Sequence, residues 1–194
     1  PIEIYSGLVP ARERSATPTA FKSLDITGAV GSTAVLDSAS SRTPSFLADI
    51  KGSYVLKEGA NTFTVYAGDW QGVVTGGTGG AGKEAITFDT NCTLCHDGNS
   101  APNQFAKWAK TNHAIMLAKG LTGDNGNHYG GSCLNCHTVG YDPGVKNNGF
   151  DDAAATAAWT FPATYSDAGW TDFVSKQPNL VKLANIQCEN CHGP

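Results

Sequence analysis

Charged residues are scarce in this chain. Lysine, arginine, aspartate and glutamate make up 15% of its 194 residues, whereas about a quarter is usual for soluble domains. The balance is slightly acidic, with a formal net charge of −4. Because a nucleic-acid interface needs an excess of lysine and arginine to neutralise phosphates, nucleic acid is not an expected partner.

Long apolar runs are missing as well. No stretch of roughly 18 apolar residues occurs, so no transmembrane segment is expected. The chain begins at Pro1, with neither an initiator methionine nor a charged-then-apolar leader. This is the appearance of an exported protein whose signal peptide has been removed, and a clipped fragment would look the same. We expect a periplasmic, extracellular or cell-surface location.

Six cysteines are present, and none stands alone. They form three Cys-x-x-Cys pairs, each followed directly by a histidine, at residues 92–96, 133–137 and 188–192, which we call the first, second and third motifs. This pattern is typical of c-type haem attachment, in which both thiols join the porphyrin and the adjacent imidazole binds the iron. The predicted attachment residues are Cys92, Cys95, Cys133, Cys136, Cys188 and Cys191. The predicted iron ligands next to them are His96, His137 and His192.

Two other interpretations of the cysteines fit the pattern less well. A disulfide framework has no need for a histidine after every second cysteine. A zinc site would use two neighbouring Cys-x-x-Cys pairs, whereas the pairs in this chain are three in number and far apart. Three covalently bound c-type haems therefore remain the favoured cofactors.

Second iron ligands are in short supply. An electron-transfer haem usually binds a histidine or methionine on its other face, and the chain offers only His113, His128 and Met116 outside the motifs. His113 borders the apolar stripe of a helix predicted near residues 103–119, and we predict it to be a ligand rather than a core histidine, with Met116 as a packing residue. His128 lies in a glycine-rich loop and is predicted to be a ligand rather than an exposed loop residue.

The chain changes character near a glycine-rich stretch. Residues 77–83 match the first seven positions of a phosphate-binding loop, but Glu84 stands where that loop needs serine or threonine. We interpret residues 75–87 as a linker. Short β-prone runs before it predict an antiparallel β-sandwich over residues 1–74. Residues 88–194 predict a loop-rich, part-helical domain, so the fold class is mixed.

Aliphatic residues are few in the second domain, so we expect the porphyrins to supply much of its core. Five aromatic side chains are the predicted packing partners: Trp108, Trp159, Phe161, Trp170 and Phe173.

Several segments carry a family resemblance. Thr-Val-Gly-Tyr-Asp at 138–142, Gly-Phe at 149–150 and Cys-Glu-Asn-Cys-His-Gly-Pro at 188–194 resemble the multihaem cytochrome c family of bacteria and archaea. Residues 46–54 and 65–73 resemble the immunoglobulin-like or PKD-like modules that precede such domains. The resemblance implies closely spaced bis-histidine haems and electron transfer outside the cytoplasm, with redox proteins, other cytochromes or further copies of the chain as partners.

One departure from the family is evident. Members usually continue after His-Gly-Pro with a glycine and soon a histidine, whereas this chain stops at Pro194. We expect a truncated C-terminus, with the second ligand of the third haem coming from a missing segment or a neighbouring subunit. The favoured function is a non-enzymatic electron conduit. The alternatives are a reductase with an open third iron and a subunit of a cytochrome filament.

Overall fold

The structure is a computed structural model that describes residues 24–40, 43–77, 86–89, 94–126 and 128–194. Most of the predicted linker, the start of the predicted sandwich and Cys92 lie outside this set. The chain divides into two compact units. The first extends to Asp69 and includes Val145–Asn147 and Gly193–Pro194, and the second comprises Trp70–Gly144 and Asn148–His192.

The first unit contains one antiparallel sheet in the order β1-β2-β3. Its strands are β1 (Asp25–Thr27), β2 (Gly52–Glu58) and β3 (Asn61–Ala67). A two-residue turn joins β2 to β3, and Gly59 in that turn has a φ of 58°, which glycine adopts without steric cost. The sheet therefore begins as a local hairpin.

The core of the first unit forms on one face of this sheet. Tyr54 is fully buried, with Ala48, Val65 and Ala67 around it, and the ring of Phe46 lies 5.2 Å from that of Tyr54. Phe63 shares its strand face with Val65 but is 54% exposed. The apolar side of β3 is thus buried only toward its C-terminal end.

A two-stranded antiparallel sheet and short helices make up the described part of the second unit. The strands are β4 (Val74–Gly77) and β5 (Ile86–Phe88). The helices are α1 (Phe105–Trp108), α2 (Met116–Thr122), α3 (Leu134–His137), α4 (Phe150–Thr156), α5 (Gly169–Lys176), α6 (Pro178–Val181) and α7 (Glu189–His192). Small antiparallel sheets plus helices confirm the predicted mixed fold class. None of the helices in the described residues is long and apolar enough to cross a bilayer.

The helix predicted near residues 103–119 is in fact two helices. A 3-10 turn, Asn112–Ile115, separates α1 from α2, and Thr111 before it is extended with ψ 159°. Threonine and asparagine side chains compete for backbone hydrogen bonds and favour helix ends over helix interiors, which explains the break. His113 therefore lies in the turn.

Protein side chains build an apolar core in the second unit. Leu117, Val139, Phe150 and Trp170 are fully buried there, and Leu180 joins them. The predicted packing aromatics Trp170 and Phe173 belong to this core, and Trp108, Trp159 and Phe161 pack against it. The expectation that this domain has too few aliphatic residues for a core of its own is therefore wrong, because α2, α4, α5 and α6 contribute aliphatic and aromatic surface themselves. The contribution of porphyrins to the core stays a prediction.

Candidate functional site

The first motif leads into the loop before α1. His96 is exposed at the surface, and its Nδ1 lies 3.2 Å from the carbonyl oxygen of Pro102. Its ring meets the buried ring of Phe105 edge-on at 6.2 Å. Because the carbonyl oxygen can only accept, this hydrogen bond requires the proton on Nδ1 and leaves Nε2 unprotonated and able to bind a metal ion.

The third motif is anchored by its two middle residues. The carboxylate of Glu189 accepts hydrogen bonds from the backbone N–H groups of Gln71 at 3.0 Å and Gly72 at 2.8 Å. A side chain at Gly72 would place its Cβ 2.1 Å from the Lys182 carbonyl oxygen, so only glycine fits this approach. Glu189 thus fixes the start of α7 against the segment that precedes β4.

Asn190 links the third motif to the second. Its Nδ2 donates to the carbonyl oxygen of Thr138, the residue after His137, at 2.8 Å. Thr138 also pairs with Ala184 in an isolated β-bridge, and Val139 N donates to the Leu183 carbonyl at 2.9 Å. The chain segments that carry these two motifs are therefore held side by side.

A cavity joins the third motif to the first. It has a volume of about 620 Å³, and both His96 and His192 line it together with Cys188. Phe105 and Val73 provide apolar wall, and Glu189 and Gln187 provide polar groups. Cofactor pockets commonly measure about 300–1,000 Å³ and combine apolar walls with a few polar groups. The cavity has the size and lining of a cofactor pocket.

The histidine of the second motif is half-buried at the end of α3. Its Nδ1 lies 3.0 Å from the hydroxyl of Tyr129, and the two rings stack with centroids 5.3 Å apart. Burial lowers the pKa of His137, and its electrostatic interaction with His113 lowers this pKa further. Burial raises the pKa of Tyr129 and so favours its protonated hydroxyl. The lowered pKa of His137 favours the neutral imidazole, which is the form that binds metals, and the contact with Tyr129 orients the ring.

The two spare histidines are both exposed. His113 lies in the 3-10 turn before α2, and its carbonyl oxygen accepts from Ile186 N at 3.0 Å. This bond, together with its electrostatic effect on His137, places His113 beside the segment that joins the second and third motifs. His128 lies in the loop just before Tyr129 and is not part of the cavity lining.

No disulfide joins the five described cysteines. Cys133 is half-buried, and Cys95, Cys136, Cys188 and Cys191 are exposed. Among the described residues, no group of three or more His, Cys, Asp or Glu side chains is placed to hold a metal ion. A zinc site would need about four such ligands together. A haem needs no such group, because the porphyrin supplies four nitrogens and the protein only one or two further ligands.

Some residues with clear roles at the site were not predicted from the sequence. Tyr129, Glu189 and Asn190 make their contacts with residues 8, 117 and 52 positions away. Only the polar character of the two middle residues of the third motif hinted at a special role. No protein family model matches the chain, and no curated protein and no solved structure matches it.

Proposed function

We propose that the chain is an exported multihaem c-type cytochrome that transfers electrons through three covalently attached haems, toward acceptors outside the cytoplasm. The observation that carries the proposal is that every cysteine belongs to a Cys-x-x-Cys-His motif. Two motif histidines, His96 and His192, also line one cofactor-sized cavity. The remaining motif histidine, His137 of the second motif, directly precedes Thr138, whose carbonyl oxygen accepts a hydrogen bond from Asn190 of the third motif. All three candidate attachment sites are thus neighbours.

The residues present fit a haem at each motif. The Nδ1 atoms of His96 and His137 are engaged by an oxygen, which leaves Nε2 of each ring for the iron. Exposed thiols at Cys95, Cys136 and Cys191 are accessible for covalent attachment. The bound group would supply one-electron chemistry, cycling between ferric and ferrous iron.

The finer parts of the proposal follow from the same residues. Residues 1–74 form an immunoglobulin-like or PKD-like β-sandwich, residues 75–87 a linker and residues 88–194 the triheme domain. His113 and His128 are the proposed second iron ligands, because they are the two histidines outside the motifs. The second ligand of the third haem comes from outside residues 1–194, either from a further segment or from a neighbouring copy.

The first experiment is a haem count with spin states. Intact mass and the pyridine haemochrome spectrum of the exported protein are expected to show three haems, and electron paramagnetic resonance of the oxidised protein three low-spin irons. Removing both thiols of one motif, as in Cys188→Ala with Cys191→Ala, is expected to lower the count to two. The equivalent pair Cys133→Ala with Cys136→Ala is the matched control and should remove a different single haem.

The outcomes separate the candidate functions. Three low-spin haems support an electron conduit. One high-spin iron that disappears with the third motif would favour a reductase with an open iron instead, because only a free coordination position admits a small substrate. A wild-type protein without haem would refute both. Concentration-dependent assembly that converts the third iron from high to low spin would favour the filament subunit.

A further inference from the structure

We infer that Tyr129 is a positioning residue of the second motif. Its phenol oxygen accepts a hydrogen bond from the Nδ1–H group of His137. This bond sets the orientation of this ligand and the redox potential of the haem bound there. This inference rests on the proposed function. It goes beyond it by assigning a specific residue to the control of one haem.

The contact between the two side chains is close and shielded from solvent. The Tyr129 side chain is only 3% exposed, and its hydroxyl lies 3.0 Å from Nδ1 of His137. The rings are stacked at 5.3 Å with an interplanar angle of 21°. Because the phenol is buried, a hydrogen bond to it competes little with water and holds the half-buried imidazole in one orientation with Nε2 as the free nitrogen.

Tyr129 is itself held in place by three neighbours. Gly120 makes room for its ring, since a Cβ at that position would lie 2.3 Å from it. The hydroxyl of Tyr165 donates to the backbone carbonyl of Tyr129. The ring of Phe161 lies 5.7 Å away on another side. The phenol is therefore a fixed acceptor rather than a side chain free to follow the histidine.

The first motif provides an independent comparison. There the same ring nitrogen, Nδ1 of His96, faces the backbone carbonyl of Pro102 at 3.2 Å. Metal-binding histidines almost always donate their second N–H to such an acceptor, which orients the ring and raises the basicity of the metal-bound nitrogen. In the second motif a side chain takes the place of the backbone, so the interaction can be removed by substitution.

Loss of the hydrogen-bond acceptor should shift the redox potential of the haem in a predictable direction. A less basic imidazole donates less electron density to the iron and stabilises the ferric state less, so the potential of that haem rises. The substitution Tyr129→Phe keeps the ring and its stacking and deletes only the hydroxyl. We expect one of three haem potentials to rise in a spectroelectrochemical titration, together with a change in the g-values of one low-spin signal, while the other two stay as in the wild type.

The control and a second measurement make the test decisive. Tyr66→Phe removes a hydroxyl from a side chain that is 73% exposed on β3 in the first unit, and all three potentials should stay unchanged. In the reduced wild-type protein, the Nδ1–H proton of His137 should show a nuclear Overhauser effect to the Tyr129 ring. This second measurement needs no variant.

Unchanged potentials in a fully haem-loaded Tyr129→Phe protein, or absence of that nuclear Overhauser effect, would overturn the inference. A wild type without haem would overturn the proposed function itself, and the haem count reveals that outcome separately.

Discussion

At the residue scale, the exposed carboxylate of Asp49 connects separate segments of the first unit through hydrogen bonds. It accepts hydrogen bonds from the hydroxyl of Ser32 at 2.5 Å, from the backbone N–H and hydroxyl of Thr33 at 2.7 and 2.8 Å, and from the hydroxyl of Tyr54 at 3.1 Å. These donors, with Ser32 the strongest, hold the pKa of Asp49 well below its usual value of 3.8. The carboxylate therefore ties the loop at residues 32–33 to the buried Tyr54.

The pH dependence of the first unit follows from this carboxylate. Because the pKa of Asp49 is lower in the folded state than in the unfolded state, ionised Asp49 stabilises the fold above about pH 4, and this contribution is lost as the pH falls further. We expect Asp49→Asn to lower the thermal unfolding midpoint at pH 7 and to flatten its decline between about pH 4 and pH 2, as measured by circular dichroism. Asp25→Asn on β1 is the control. A decline as steep in Asp49→Asn as in the wild type would contradict the prediction.

At the scale of the element, α2 depends on a residue far away in the sequence. A helix of seven residues is too short to be stable by itself. The side-chain oxygen of Asn185 accepts from Leu117 N at 2.8 Å and Ala118 N at 3.3 Å, at the start of α2. Asn185 is fully buried and has a φ of 68°, a conformation that asparagine tolerates better than most residues. It acts as an N-terminal cap supplied from another segment.

Replacement of this cap is expected to be costly. Asn185→Ala loses about 1 kcal/mol of capping energy and leaves buried N–H groups unpaired at a cost of about 1–3 kcal/mol. Asn148→Ala is the matched control, since Asn148 is exposed and has a similar φ of 62°. We expect Asn185→Ala to lower the free energy of unfolding by about 2–4 kcal/mol more than the control does, in denaturant titrations. Equal losses would show that backbone strain alone explains the effect.

At the scale of the whole molecule, the net charge determines which redox partners the proposed cytochrome would attract. The formal net charge is −4, and each ferric haem of the proposed cytochrome would add about one further negative charge, counting iron, porphyrin and propionates together. An acidic protein attracts basic partners, and the attraction weakens as salt shortens the Debye length from about 30 Å at 0.01 M to about 8 Å at 0.15 M.

The rate constant of electron exchange should depend on this electrostatic attraction. In stopped-flow experiments, we expect the second-order rate constant with a basic redox protein to fall as ionic strength rises over that range. A neutral small-molecule reductant serves as the control and should react at a nearly constant rate. A rate constant that rises with salt would mean that the contacting surface is locally basic or that the partner must be acidic.

Local chemistry made several features readable from the sequence alone. Each Cys-x-x-Cys-His motif is a run of consecutive residues. The predicted attachment residues and their histidines could therefore be identified without knowledge of the fold. The β-prone runs before the linker predicted antiparallel strands, and β2 and β3 pair in this way at Gly52–Glu58 and Asn61–Ala67. The mixed fold class followed from the change in composition along the chain. These are properties of neighbouring residues, and short-range sterics and hydrogen bonding govern them.

Tertiary structure decided which distant groups meet. The protein-built core and the contact of Tyr129 with His137 depend on packing between segments that are separated along the chain. The cavity shared by His96 and His192 joins residues 96 positions apart, and no local pattern encodes such a pairing. Burial and hydrogen-bond partners depend on the complete three-dimensional arrangement, because their free energy is gained only when the chain has folded around them.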